Sequence, residues 1–283
     1  MKHTSNPQAM VKDPKSPISS LHEAHEVQER VAIGAKIIYE AVRLEGEEEL
    51  ERPAVALAWS GLAAGLSMGF SMLAEGALHA YLPDTMWRQL ITSVGYSVGF
   101  LIVILGAQQL FTENTLTVIL PLLVHKNRST MRKVGRLWSV VLTANIVGTF
   151  LFAYAVARAG FLEPTLQRAM LEVSAAHAGH SFWIVFVRAV FAGWLIALMV
   201  WMMPNAATSR VAIIIIITYL IGIARLSHIV AGSTTAFYLV VMGQLSLGQY
   251  FAAFFFPTLL GNIVGGVSLV AALAHAQVVG GKK

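Results

Sequence analysis

Two polar interruptions hold most of the chemistry this chain can offer. Thr112-Glu113-Asn114 breaks the apolar stretch 93–124, and Arg225-Leu226-Ser227-His228 breaks the apolar stretch 211–242. Ionisable side chains in such surroundings are costly, and they commonly mark a solute pathway. A histidine ordinarily titrates near neutrality, so His228 is expected to donate or relay a proton. Glu113 and Arg225 carry opposite charges, one in each interruption, and are expected to form an ion pair or to contact a solute. Arg188, near the start of the apolar stretch 182–203, either draws an anion toward the protein or snorkels to an interface. His177 and His180 lie in a loop, no cysteine is present, and neither a His-Glu metal cluster nor a Ser-His-Asp set recurs at depth. No metal, cofactor or enzyme activity is implied.

The elements that position these groups belong to a membrane protein. Apolar residues make up 56 % of the chain and charged ones 12 %, about half the charge of a soluble domain, and the mean hydropathy is +0.66. Ten of the 15 acids precede Pro53. Residues 1–53 are therefore expected to be a water-facing cytoplasmic tail, 54–275 the transmembrane domain and 276–283 a second cytoplasmic tail. No short apolar run near the N-terminus suggests a cleaved signal peptide. In the tail, Ser20 and Glu23 have capping-box spacing. Val27, Val31, Ile33, Ile37, Ile38, Ala41 and Val42 form the apolar face of an amphipathic helix, and Glu45–Glu51 reads as a solvated stretch without chemistry.

Four apolar stretches (54–74, 137–159, 182–203 and 250–275) match the roughly 20 residues that a spanning helix needs. The stretches 93–124 and 211–242 are each 32 residues long, too long for one helix at about 1.5 Å per residue. Irregular backbone is tolerated at that depth only where protein or a cavity covers it, so each is expected to be a broken helix. Thr112, Asn114 or Thr115 would cap the half-helix after the first break. After the second, Gly232 would allow unusual backbone angles and Ser233 would cap. Each half-helix N-terminus contributes roughly half a positive charge, a field that favours an anion.

The halves repeat. Asn145-Ile146-Val147-Gly148 matches Asn262-Ile263-Val264-Gly265, and Ala64-Gly65 resembles Ala192-Gly193. Three spans per half require the halves to be inverted, and paired interrupted segments in an inverted repeat point to a transport site. Asn145 and Asn262 are accordingly placed along the pathway. Lys and Arg concentrate on one side, which puts both termini in the cytoplasm. The pI of about 9.6 follows from this topology and calls for no nucleic acid.

Gly106-Ala107-Gln108-Gln109-Leu110-Phe111-Thr112 resembles the first signature of the formate/nitrite transporter family. Thr258–Gly266 resembles its sixth-span motif, and Arg188–Leu195 its basic residue followed by a small-Asn-Trp-Leu pattern. His228 matches its central pore histidine. The resemblance covers about residues 30–275. It implies an all-α, aquaporin-like fold of six transmembrane helices in an inverted 3+3 repeat, with the second and fifth broken. It also implies a homopentamer in the inner membrane, with one pore per protomer for a small monovalent anion or its conjugate acid. Leu110 and Phe111 would form one constriction, Phe100 and Ile221 the cytoplasmic-side one, Thr112 would hydrogen-bond near His228, and Arg188 would stand in the outer vestibule. The chain departs from the family pattern at Gln109, Glu113, Gly193 and Ser227, with Arg225 added. Two other readings remain: a pore for a neutral or ammonium-like solute, and a non-conducting membrane scaffold plugged by a Glu113–Arg225 pair.

Overall fold

The structure is a computed structural model that describes residues 7–12, 16–17, 19–24 and 34–280. Val27, Val31 and Ile33 of the expected amphipathic face lie outside the described residues. The Ser20–Glu23 capping box forms, with the Glu23 N–H donating to Ser20 Oγ and the Ser20 N–H to Glu23 Oε2, both at 3.1 Å.

Helix α1 (Ala35–Glu51) buries Ile38, Val42 and Leu50 and leaves Ile37 exposed. It includes the acidic run, which is helical and leaves Glu45, Glu48 and Glu51 exposed. The run stays helical because cations answer it: Arg43 pairs with Glu40 and Glu47, His125 Nε2 lies 2.8 Å from Glu47, and Lys133 pairs with Glu51. Arg136 adds a bond to the Leu50 carbonyl at 2.7 Å. These contacts fasten α1 to the elements beside it.

The apolar stretches then become α2 (Ala54–Tyr81), α3 (Arg88–Leu105), α4 (Asn114–His125), α5 (Arg128–Arg158), α6 (Pro164–Ala175), α7 (Phe182–Met202), α8 (Arg210–Ile223), α9 (Ile229–Val241) and α10 (Leu247–Val278). Five of them (α2, α3, α5, α7 and α10) are long and apolar enough to cross a membrane. The shorter α8 and α9 make up the second interrupted stretch. The fold is all-α, and both long stretches are broken, α3 from α4 and α8 from α9.

The inverted repeat is visible in the packing. Helix α2 lies along α5, and α7 lies along α10. A β-carbon at Gly65 would stand 2.2 Å from the Asn145 carbonyl oxygen, and one at Gly193 2.4 Å from that of Asn262. Both approaches are closer than atoms allow, so only glycine lets these helix pairs cross at this distance.

Candidate functional site

Each break is pinned from behind by one asparagine. Asn145 on α5 accepts the Phe111 N–H at 2.9 Å through Oδ1, while its Nδ2 donates to the carbonyls of Gly61 and Gln109 at 2.8 and 2.9 Å. Asn262 on α10 does the same for the other half. Its Oδ1 accepts the Ile229 N–H at 2.8 Å, and its Nδ2 donates to Ala189 and Ser227 at 2.8 and 2.9 Å. Gln109 thus corresponds to Ser227, Leu110 to His228, and Phe111 to Ile229. The chain also enters both breaks through the same left-handed turn, at Ala107 (φ +49°) and Arg225 (φ +50°). Both asparagines are 0 % exposed, and their amides are spent on backbone. They hold the breaks open, which is a positioning role and not the pathway-lining one expected from sequence.

The caps also differ from expectation. Glu113 stands at the N-cap of α4 without a side-chain cap bond, and Thr115 Oγ1 donates back to the Thr112 carbonyl. His228 caps α9, with its Nδ1 accepting the Ala231 N–H at 3.2 Å. Ser233 lies inside α9 and donates to the Ile229 carbonyl. Gly232 is helical, and its missing side chain makes room for Phe254.

At the centre His228 Nε2 meets Thr112 Oγ1 at 2.8 Å. Because Nδ1 accepts a bond, it carries no proton, which assigns the proton of the neutral ring to Nε2 and makes Thr112 the acceptor. Phe100 presses its ring edgewise on the imidazole at 5.0 Å. Phe100, Val103, Leu110, Phe111, Thr112, Ile221 and His228 are all 0–1 % exposed. The two breaks therefore meet in an apolar barrier whose polar content is one histidine–threonine pair.

A cavity approaches this barrier from each face, and the two share no lining residue. The cavity on the α1 side, about 470 Å³, is lined by Ala107, Gln108 and Gln109 of the first break with Glu113, Glu45, Glu49 and Arg210. Burial pushes the Glu45 carboxyl above the ordinary carboxylate range, Glu49 and Glu48 add to this, and Arg210 opposes it. The far cavity is lined by Arg225, Leu226, Ser227 and His228 of the second break with Arg188, His177, Glu75 and Tyr96. Burial holds the His177 imidazole below its usual value, Arg225 and Arg188 act in the same direction, and a hydrogen bond to the Val173 carbonyl opposes them.

This arrangement corrects the expected ion pair. Glu113 and Arg225 open into different cavities, and among the described residues they form no salt bridge. The two breaks open toward opposite faces, so lying in paired breaks does not make these two residues neighbours in space. Arg188 does join Arg225 and His228 in one cavity. Glu75 was among the few acids left in the apolar region, but nothing in its local sequence marked it as part of this site. Among the described residues, no group of three His, Cys, Asp or Glu side chains has the arrangement of a metal site.

Residues 36–276 match the family model described as formate/nitrite transporter. Inner membrane protein YfdC of Escherichia coli is 41 % identical over 251 residues, which span 89 % of this chain and 81 % of the relative. An uncharacterized transporter, YrhG of Bacillus subtilis, is 25 % identical over 82 % of this chain and 89 % of its own. Among solved structures, a pentameric formate channel with formate bound superposes with a TM-score of 0.67 at 19 % identity, covering 80 % of this chain and 98 % of that one.

Proposed function

The chain belongs to the formate/nitrite transporter family, and from that premise we propose that it passes a small monovalent anion of the formate or nitrite kind across the inner membrane as the conjugate acid. It is a transport protein and not an enzyme. The observation that carries the reading is the His228–Thr112 pair, set in an apolar barrier behind a cavity with two arginines. Taking a bare ion into such surroundings costs an idealised 20 kcal/mol or so, and several kcal/mol after relaxation. A weak acid escapes most of that cost by crossing protonated.

In this reading Arg188 and Arg225 gather the anion in the far, outer cavity. The permeant then crosses between Phe100, Leu110, Phe111 and Ile221, with the His228–Thr112 pair offering one hydrogen bond at mid-depth. The α1-side cavity is the cytoplasmic exit, which places both termini inside, and the protein works as a homopentamer with one pore per protomer. The pentameric formate channel and the E. coli inner-membrane relative support assembly and location.

One observation favours a second reading, passage of a neutral or ammonium-like solute: Glu45, Glu49 and Glu113 line the α1-side cavity against a single arginine. Vesicles containing the purified protein separate the two. Uptake of formate, nitrite and lactate is measured from mildly acidic to mildly alkaline medium for the wild type, His228→Ala and Arg188→Ala. Faster anion uptake than in empty vesicles, weakened by Arg188→Ala, is expected. Uptake of methylammonium with no anion uptake would decide for the second reading, and no uptake of either would remove both.

A further inference from the structure

Glu75 is 3 % exposed on α2 and lines the far cavity. Gly95 of α3 abuts its backbone so closely that a β-carbon there would stand 2.6 Å from the Glu75 nitrogen, so the helix cannot readily turn this side chain elsewhere. Among the described residues nothing hydrogen-bonds or pairs with its carboxyl. An unsatisfied carboxyl at that depth needs a reason. The ionisable groups that face it across the cavity are Tyr96 from α3, His177 from the loop after α6, Arg188 from α7, and Arg225 and His228 from the second break. From α9 and α10 come only Ala231, Gly232, Thr235 and Phe254.

His228 is poorly placed to serve that cavity as a proton donor, since Nε2 is held by Thr112 and Nδ1 by the Ala231 N–H. Releasing Nδ1 would uncap α9. We propose that Glu75 is the group that exchanges a proton with the permeant in the far cavity, an inference that rests on the weak-acid reading above. Protonated Glu75 gives its O–H proton to one oxygen of the anion held by Arg188 and Arg225. The anion becomes the neutral acid that enters the barrier, and Glu75 is left as a carboxylate in the cavity that Arg188 and Arg225 also line. Water on that side then returns the proton to Glu75, and the cavity is reset with one proton moved for each acid. The free space is about 20 Å³, room for about one water.

The test is formate uptake by the full chain in vesicles, with an internal pH dye to follow the proton. Glu75→Gln should slow uptake by about tenfold or more in neutral and alkaline medium and by much less in acid, where formic acid arrives already protonated. Glu75→Asp, which keeps a carboxyl, should restore the wild-type shape of the pH profile. A Glu75→Gln profile parallel to the wild type at every pH overturns the assignment and leaves the transport reading standing. Wild-type protein that moves no weak acid overturns both. If Glu75→Gln fails to assemble, infrared spectra decide with Glu75→Asp: a protonated-carboxyl band that shifts with the substitution and is lost on adding formate supports the proposal, and its absence refutes it.

Discussion

Replacing Asn262 by leucine, a side chain of similar volume without its amide, tests the claim that one residue fixes each break. The substitution removes three hydrogen bonds, two of them buried, and strands the Ile229 N–H and the Ser227 carbonyl, while the Ala189 carbonyl keeps its place in the α7 ladder. A buried group left unsatisfied costs about 1–3 kcal/mol. Two such groups bring the expected loss to roughly 2–6 kcal/mol. At about 2–4 °C per kcal/mol for a chain of this size, the thermal midpoint in detergent should fall by roughly 10 °C. Uptake should fall with it, because His228 follows Ser227 directly and would leave Thr112. Asn145→Leu removes the equivalent bonds and strands the Phe111 N–H and the Gln109 carbonyl, so its loss should match to within about 1 kcal/mol, the usual scatter between comparable sites. If Asn262→Leu melts and transports like the wild type, the asparagines are not what holds the breaks.

Four further outcomes are expected. Gly193→Ala, which would put a β-carbon 2.4 Å from the Asn262 carbonyl oxygen, should destabilise the protein by about 1–3 kcal/mol, read as a lower thermal midpoint. Phe111→Ala removes a ring packed edgewise on Trp138 at 5.6 Å and should raise the leak of larger monocarboxylates relative to formate in the vesicle assay; unchanged discrimination would place the barrier elsewhere. Folding holds the His177 pKa below the unfolded value of 6.5, so the unfolded chain takes up its proton first. Stability is therefore full above 6.5 and declines as pH falls toward the folded value, and His177→Gln should flatten that part of a melting-against-pH curve. The opposite holds at Glu45, whose raised pKa makes its ionisation unfavourable to folding. Glu45→Gln should raise the midpoint at neutral pH and make no difference in acid.

Much of this fold could be read in the sequence, for reasons that can be named. A membrane span has a required length, so two stretches of 32 residues with polar centres were visibly broken. In the repeated Asn-Ile-Val-Gly the first and last residues meet the same contacts in both halves: the asparagine clips the break, and Gly148 and Gly265 admit the Leu62 and Val190 carbonyls of the partner helices. Long-range partners were harder to read. The cap of α9 came from His228, because Asn262, 33 residues away, already holds the Ile229 N–H and leaves the Ala231 N–H to the imidazole. The Glu113–Arg225 pair was inferred from their lying in the two paired breaks, yet the breaks open into different cavities. Glu75 stayed out of view because its importance comes from groups on α7 and in the second break, which no window around α2 contains.

The duplicated asparagine clip has a consequence for direction. Two half-frames related by such an operation look the same from either side of the bilayer, so the scaffold alone has no preferred sense of flow. Any difference between the two faces must come from the places where the copies have diverged, such as leucine against histidine at 110 and 228 and alanine against arginine at 107 and 225. Exchanging the members of those pairs would leave the skeleton standing and reverse which compartment meets the arginine and the imidazole, while the net direction of flow would still follow the gradient of the permeant.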